Sequence, residues 1–253
     1  MSVTEKARGQ GDTVVRQKLS QHPSNVTLKL IMAATGTIFV LFVFVHMVGN
    51  LKLFLGAEDY NAYAAFLRTF LFPFLPYEGL LYVMRLALGV CLILHVWAGL
   101  TIHLRGRRAR GGFSRKGMKK KAWFAKYMVV EGVLLLAFII VHLLDLTIGR
   151  GLAPSRFQEA THEMVGNEMV VHAHAYENLV ASFSRPWMAI FYTVIMIVAA
   201  LHIGQGGWNA VNDFGGTGPR LRKIWLIAFL LIALIIMVCN GALPMLVLSG
   251  VIS

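Results

Sequence analysis

Residues 28–50 read LKLIMAATGTIFVLFVFVHMVGN: one lysine near the start, one histidine near the end, an asparagine as the last residue, and otherwise an apolar run with two threonines and two glycines. At about 1.5 Å of rise per residue, such a run is long enough as a helix to cross the roughly 30 Å hydrocarbon layer of a bilayer. Four more stretches have the same character, over residues 78–104, 124–148, 186–211 and 221–249. Residues 1–27 are polar, carry Lys6, Arg8, Arg16 and Lys18, and contain no apolar core of the kind a cleaved signal peptide has.

The composition of the 253-residue chain agrees with this reading. It is 57% hydrophobic and 14% charged, with mean hydropathy +0.65, whereas a soluble domain carries about 25% charged residues. Its 24 glycines suit close packing between membrane helices. Disorder, collagen and coiled coil are excluded. The two cysteines, Cys91 and Cys239, lie inside apolar runs, which leaves no disulfide framework, no zinc pattern and no thiolate set for an iron–sulfur cluster. There is also no Cys-x-x-Cys-His for covalent haem. The expected fold is an all-α integral membrane protein, with a polar segment over residues 1–27 and a five-helix bundle over 28–253.

The net charge of +12 has a topological explanation. Between spans two and three, Arg105 to Lys121 holds nine basic residues and no acid, and Arg220, Arg222 and Lys223 lie between spans four and five. The long segment from Gly149 to Arg185 instead carries Glu159, Glu163, Glu168 and Glu177 against Arg150, Arg156 and Arg185. Basic loops stay cytoplasmic, so the expected orientation is N-terminus inside and C-terminus outside, with no need for nucleic acid. The basic face could also dock a soluble partner.

Spans one to four each carry a deeply placed histidine: His46, His95, His142 and His202. An intramembrane imidazole is costly unless it meets a cavity, a partner or a cofactor. His46 lies 17 residues from Lys29, and His142 lies 16 from Lys126 or 21 from Lys121, about 24 to 31 Å from the inner face. His95 is 10 residues from Arg105 and His202 is 11 from Asp213, about 15 Å from that face. Two imidazoles at each of two depths is the arrangement that two haem irons with two axial ligands apiece require. Gly49, Gly99 and Gly206 lie one turn from His46, His95 and His202, and Asp145 takes that place beside His142. Each histidine taken alone could instead bond a neighbouring serine or a backbone carbonyl. His103 reads as solvated at the inner interface, and His162, His172 and His174 read as surface residues of the outer loop.

The stretches HMVGNLKLFLGAEDYNAYAAFLR (46–68), LHVWAGLTIHLRGRRAR (94–110), VHLLDLTIG (141–149), YENLVASFSRPWMAIFY (176–192) and LHIGQGGWNAVNDFG (201–215) together resemble the single-chain, five-helix cytochrome b anchor of succinate dehydrogenases and fumarate reductases. The resemblance implies a bundle around two b-type haems, with His95 and His202 holding the proximal haem iron and His46 and His142 the distal one. It implies as partners a flavoprotein carrying FAD and an iron–sulfur subunit on the cytoplasmic side, with menaquinone as the substrate in a bacterial cytoplasmic membrane. Association of whole complexes into dimers or trimers stays open. The chain has no dinucleotide fingerprint and too few cysteines for clusters, so the dicarboxylate chemistry of the tricarboxylic acid cycle would belong to the partners.

Two positions depart from the family pattern. Where some fumarate reductases have a glutamate two residues before the last haem ligand, linked to proton transfer, this chain has Ala200. The acid those enzymes place near quinol corresponds by ungapped spacing to Arg68, and Glu78 is the nearest acid. Glu78 and Asp145 are the acidic candidates for quinone contact, and a dipole-favoured carboxylate at the helix start is the other reading of Glu78. Arg85 is expected either at a haem propionate or paired with Asp145. Lys29 and Trp123 are candidates for the other haem's propionates, with an interfacial belt as the simpler role for Trp123.

The expected function is electron relay from the iron–sulfur subunit through the two haems to menaquinone, with succinate oxidation as the working direction. The alternatives are fumarate reduction, the cytochrome b subunit of a hydrogenase or formate dehydrogenase, and a haem-free anchor or proton-conducting permease.

Overall fold

The structure, a computed structural model, describes residues 23–113, 120–216 and 218–253, with the backbone alone over 120–126. Most of the expected N-terminal segment and the centre of the basic loop therefore lie outside the described residues. Five helices are long and apolar enough to cross a membrane, and the protein is a multi-pass membrane protein.

Helix α1 (Asn25–Asn50) begins where the Ser24 hydroxyl accepts the Thr27 amide and runs on into a 3-10 turn (Leu51–Leu55). A short helix α2 (Ala57–Thr69) follows after Gly56, whose φ of 100° suits only glycine. Then come α3 (Gly79–Arg110) and α4 (Lys120–His142), the latter continuing as a π turn over Leu143–Ile148. The turn stops at Gly149, where the positive φ and the ring of Phe157, 2.2 Å from where a Cβ would stand, both demand glycine. An antiparallel hairpin pairs β1 (Thr161–Val165) with β2 (Glu168–His172), Thr161 opposite His172. Helix α5 (Ala175–Phe183) leads to α6 (Pro186–Asp213) and α7 (Pro219–Leu248), both begun by proline at the first helical position.

The expected spans correspond to α1, α3, α4 with its π turn, α6 and α7. The largest difference is at α3, which continues past Leu104 to Arg110 because a helix can run out of hydrocarbon into water when its side chains become charged. The segment expected as one long outer loop is instead the hairpin and α5. Asn61 of α2 ties it down, donating to the Glu177 carboxylate at 2.9 Å and accepting the Tyr176 amide at 2.9 Å.

Helix α6 is the centre of the bundle, packed against α1, α4 and α7. Its closest neighbour is α7, with Gly207 against the Phe229 ring. Large apolar side chains such as Leu86 and Ile93 are about 70% exposed on the outer faces, as lipid-facing residues are. Near the hairpin end, Leu53, Leu179, Phe183, Met188, Tyr192, Leu243 and Val247 form a buried cluster joining α5, α6, α7 and the 3-10 turn. At the opposite, basic end, the Arg105 guanidinium donates to the Pro23 carbonyl at 2.9 Å and to the Asn25 side chain at 2.8 Å.

Candidate functional site

Equal rise from one shared contact sets the heights of side chains in this bundle. Arg105 of α3 meets Asn25 of α1, and ten residues along each helix from there lie His95 and Thr35, both raised about 15 Å. The Thr35 hydroxyl is 2.9 Å from His95 Nδ1. Across the bundle, the rings of His95 and His202 of α6 lie 6.4 Å apart between centroids, their planes crossing at 65°. Nearer the hairpin end, His46 of α1 and His142 at the close of α4 lie 5.9 Å apart, crossing at 80°. The four intramembrane histidines are thus brought together as two pairs at two levels.

Three of the four rings have a polar group near Nδ1. Thr35 serves His95, the Tyr192 hydroxyl lies 3.4 Å from His142, and Glu131 Oε2 lies 3.7 Å from His202. Metal-bound histidine characteristically offers its second ring nitrogen to such a group. The rest of the surroundings are apolar. Phe42 stacks on His46, Phe138 lies tilted against His142, and Phe39 meets His95 edge-on. Gly36 of α1 lies against His95 and Gly132 of α4 against His202, with Cβ positions 3.3 and 3.7 Å from the imidazole Cε1 atoms.

The donor set, two imidazoles at each level, is of the kind a porphyrin iron takes. Two imidazoles per level fall short of the three or four protein ligands that zinc takes, and they match the two axial positions a haem leaves to the protein. Among the described residues no group of three or more His, Cys, Asp or Glu side chains gathers at one point.

The charged candidates pair with neighbouring side chains. Arg85 does not reach Asp145. It pairs with Glu78 at 3.0 Å, and Arg68 takes the other Glu78 oxygen at 3.2 Å. Glu78 itself sits just before α3 with a left-handed φ of 58°, clamped between the two guanidinium groups. Asp145 is fully buried in the π turn. Arg185 takes one of its oxygens, while Ser182 donates to the other at 2.6 Å and Tyr192 at 3.2 Å. That set satisfies the carboxylate, so the geometry lends no support to Asp145 as a quinone contact. Lys29 pairs with Asp213 across α1 and α6 at 3.7 Å and is half exposed. The Trp123 side chain lies outside the described residues.

Of the expected neighbouring glycines, Gly49 makes room for the Tyr63 ring, not for a haem, a Cβ there standing 2.9 Å from Tyr63 Cε1. Gly99 and Gly206 face the flexible ends of Met32 and Met128. On the hairpin, His162 stacks on Tyr77 and His172 lies 3.6 Å from Glu163. In α2, burial and the nearby Tyr63 push the Tyr60 hydroxyl up to about 12, which keeps it neutral at the edge of the bundle.

Sequence reasoning missed Thr35, Gly36, Glu131, Gly132, Arg185 and Tyr192. Glu131 had a legible signal, a carboxylate within an apolar run. The others could be found only from the rotation of each helix about its axis. In comparison with known proteins, no family model and no curated protein matches the chain.

Proposed function

We propose that this chain is a dihaem cytochrome b membrane anchor, which relays electrons from an iron–sulfur subunit at its basic end to menaquinone, within a succinate dehydrogenase type complex. The observation that carries the reading is the meeting of imidazoles from four helices in two pairs, 5.9 and 6.4 Å apart, at two levels of the bundle. The resemblance of five stretches of sequence to that family supports the choice of partners and substrate. Ala200, in place of a glutamate linked to proton transfer, favours succinate oxidation over fumarate reduction.

In this reading His95 and His202 hold the haem nearer the basic end, and His46 and His142 the other. Haem held there would supply a one-electron carrier. The chain's own residues orient the ligands: the Thr35 hydroxyl faces His95, Tyr192 faces His142, and Gly36 and Gly132 leave space beside the imidazoles of the basic-end pair. The phenylalanines around His46 and His142 keep water away. The Glu78 clamp holds the turn before α3 rigid and remains the acidic candidate for quinone. The basic loop lies on the cytoplasmic face of a bacterial membrane, where the flavoprotein and iron–sulfur subunits dock.

A pyridine haemochrome assay on the purified chain, expressed with ample haem supply, tests the reading. Two haems per chain are expected. A haem-free chain overturns the relay and favours an anchor or permease.

A further inference from the structure

Glu131 is 7% exposed within α4, a carboxylate in a span whose neighbours are apolar. One oxygen accepts the Gln205 amide at 3.2 Å. The other, Oε2, is buried without a hydrogen bond, and so is Nδ1 of His202, the two atoms facing each other at 3.7 Å. Gln205 lies three residues beyond His202, on the same face of α6. Gly132, next to Glu131, lies beside the His202 ring, its Cβ position 3.7 Å from the imidazole Cε1. Two orphaned polar atoms that each lack what the other supplies are costly apart and favourable together.

The four histidines differ in what lies behind them. His95 has a neutral hydroxyl. His142 has the hydroxyl of Tyr192, with Asp145 one bond further on and neutralised by Arg185. Only His202 faces a carboxylate directly, and among the described residues no lysine or arginine lies within ion-pair reach of it.

We propose that Glu131 is the positioning residue of His202: its Oε2 accepts the imidazole Nδ1–H, which turns Nε2 toward the iron, and its negative charge favours the oxidised state of the basic-end haem alone. The inference rests on the dihaem reading. It adds a device that gives one of two otherwise similar bis-histidine centres its own potential. A ligand made more basic, with an uncompensated negative charge behind it, stabilises ferric over ferrous iron.

The test is an optical redox titration of the wild-type and Glu131→Gln chains, with low-temperature electron paramagnetic resonance of each oxidised haem. Glu131→Gln keeps shape and loses charge. The basic-end haem is expected to favour its reduced form by at least tenfold, a rise of about 59 mV for one electron, with changed g values, while the other haem keeps both its potential and its signal. Glu131→Asp, which keeps the charge on a shorter stem, should move the same haem by less, and it decides the question in the same way if Glu131→Gln does not assemble. Unchanged potentials, or equal displacement of both haems, overturn the inference. A wild-type chain without haem overturns the underlying reading instead, so the two failures are distinct.

Discussion

The Thr35 hydroxyl lies 2.7 Å from the carbonyl oxygen of Ile31 and 2.9 Å from Nδ1 of His95. A hydroxyl has one proton to give. Spent on Ile31, it leaves the oxygen free to accept from His95, so donor counting puts the imidazole proton on Nδ1 and the lone pair on Nε2. Thr35→Val removes this acceptor at nearly constant volume. It should weaken haem binding at the basic-end level by about 10- to 100-fold, read by titrating haem into the apo chain and following the difference spectrum. Thr35→Ser should bind as the wild type does.

The pairing of Asp145 with Arg185 carries a stability prediction. Asp145 is fully buried, and Arg185 is about three-quarters so. Asp145→Asn leaves the guanidinium without its counter-charge, and removing one partner of such a pair costs about 3–5 kcal/mol. The thermal unfolding midpoint in detergent, followed by circular dichroism, should fall accordingly. The double variant Asp145→Leu with Arg185→Leu should lose less than the sum of the two single changes, because it strands neither charge. Additive losses would mean that the two groups act independently.

The spans and the pairing of the histidines were legible because both depend on one quantity, rise per residue. The bilayer dictates how long a run must be, and counting from flanking charges places His46 with His142 and His95 with His202 without any knowledge of packing. What rise does not contain is rotation. Whether Gly49 faces a haem or the Tyr63 ring, and whether Arg85 reaches Asp145 or Glu78, depends on the angular position of each helix. Periodicity reports that poorly when lipid-facing and core-facing residues are equally apolar. The hairpin and α5 were hidden for another reason: they are short, and what fixes them is tertiary, the Asn61 bonds to Glu177 and Tyr176 and the packing of Leu179 and Phe183 in the buried cluster, which a sequence window does not contain. Glu131 stood in view in the third span, and only its neighbours on α6 give it a role.

Gly207 tests the packing of α6 on α7. A Cβ there would stand 2.2 Å from Phe229 Cγ and 2.7 Å from its Cβ, so the conflict reaches the stem of the side chain as well as its far end. Gly207→Ala should force the two helices apart at a cost of about 1–3 kcal/mol, seen as a lower unfolding midpoint. Phe229→Ala removes the two nearest ring atoms, so in that background the same Gly207→Ala change should cost less than it does in the wild type. A neutral Gly207→Ala would mean that α6 and α7 pack less closely than this contact requires.

The histidine pairs make the last prediction, and it separates depth from sequence order. Paired along the chain, His46 would go with His95, and His142 with His202; paired by height, His46 goes with His142 and His95 with His202, at ring separations of 5.9 and 6.4 Å. His95→Ala and His202→Ala should therefore each abolish the same haem band and leave the other, and His46→Ala and His142→Ala should abolish the second band. A haem that loses one of two axial ligands has an open coordination position, so any haem retained by a single variant should turn high-spin in the resonance spectrum. Low-temperature difference spectra of the four variants resolve the bands. If His46→Ala and His95→Ala removed one common haem, the pairing by height would be wrong, and the proposed electron relay would lose the geometry on which it stands.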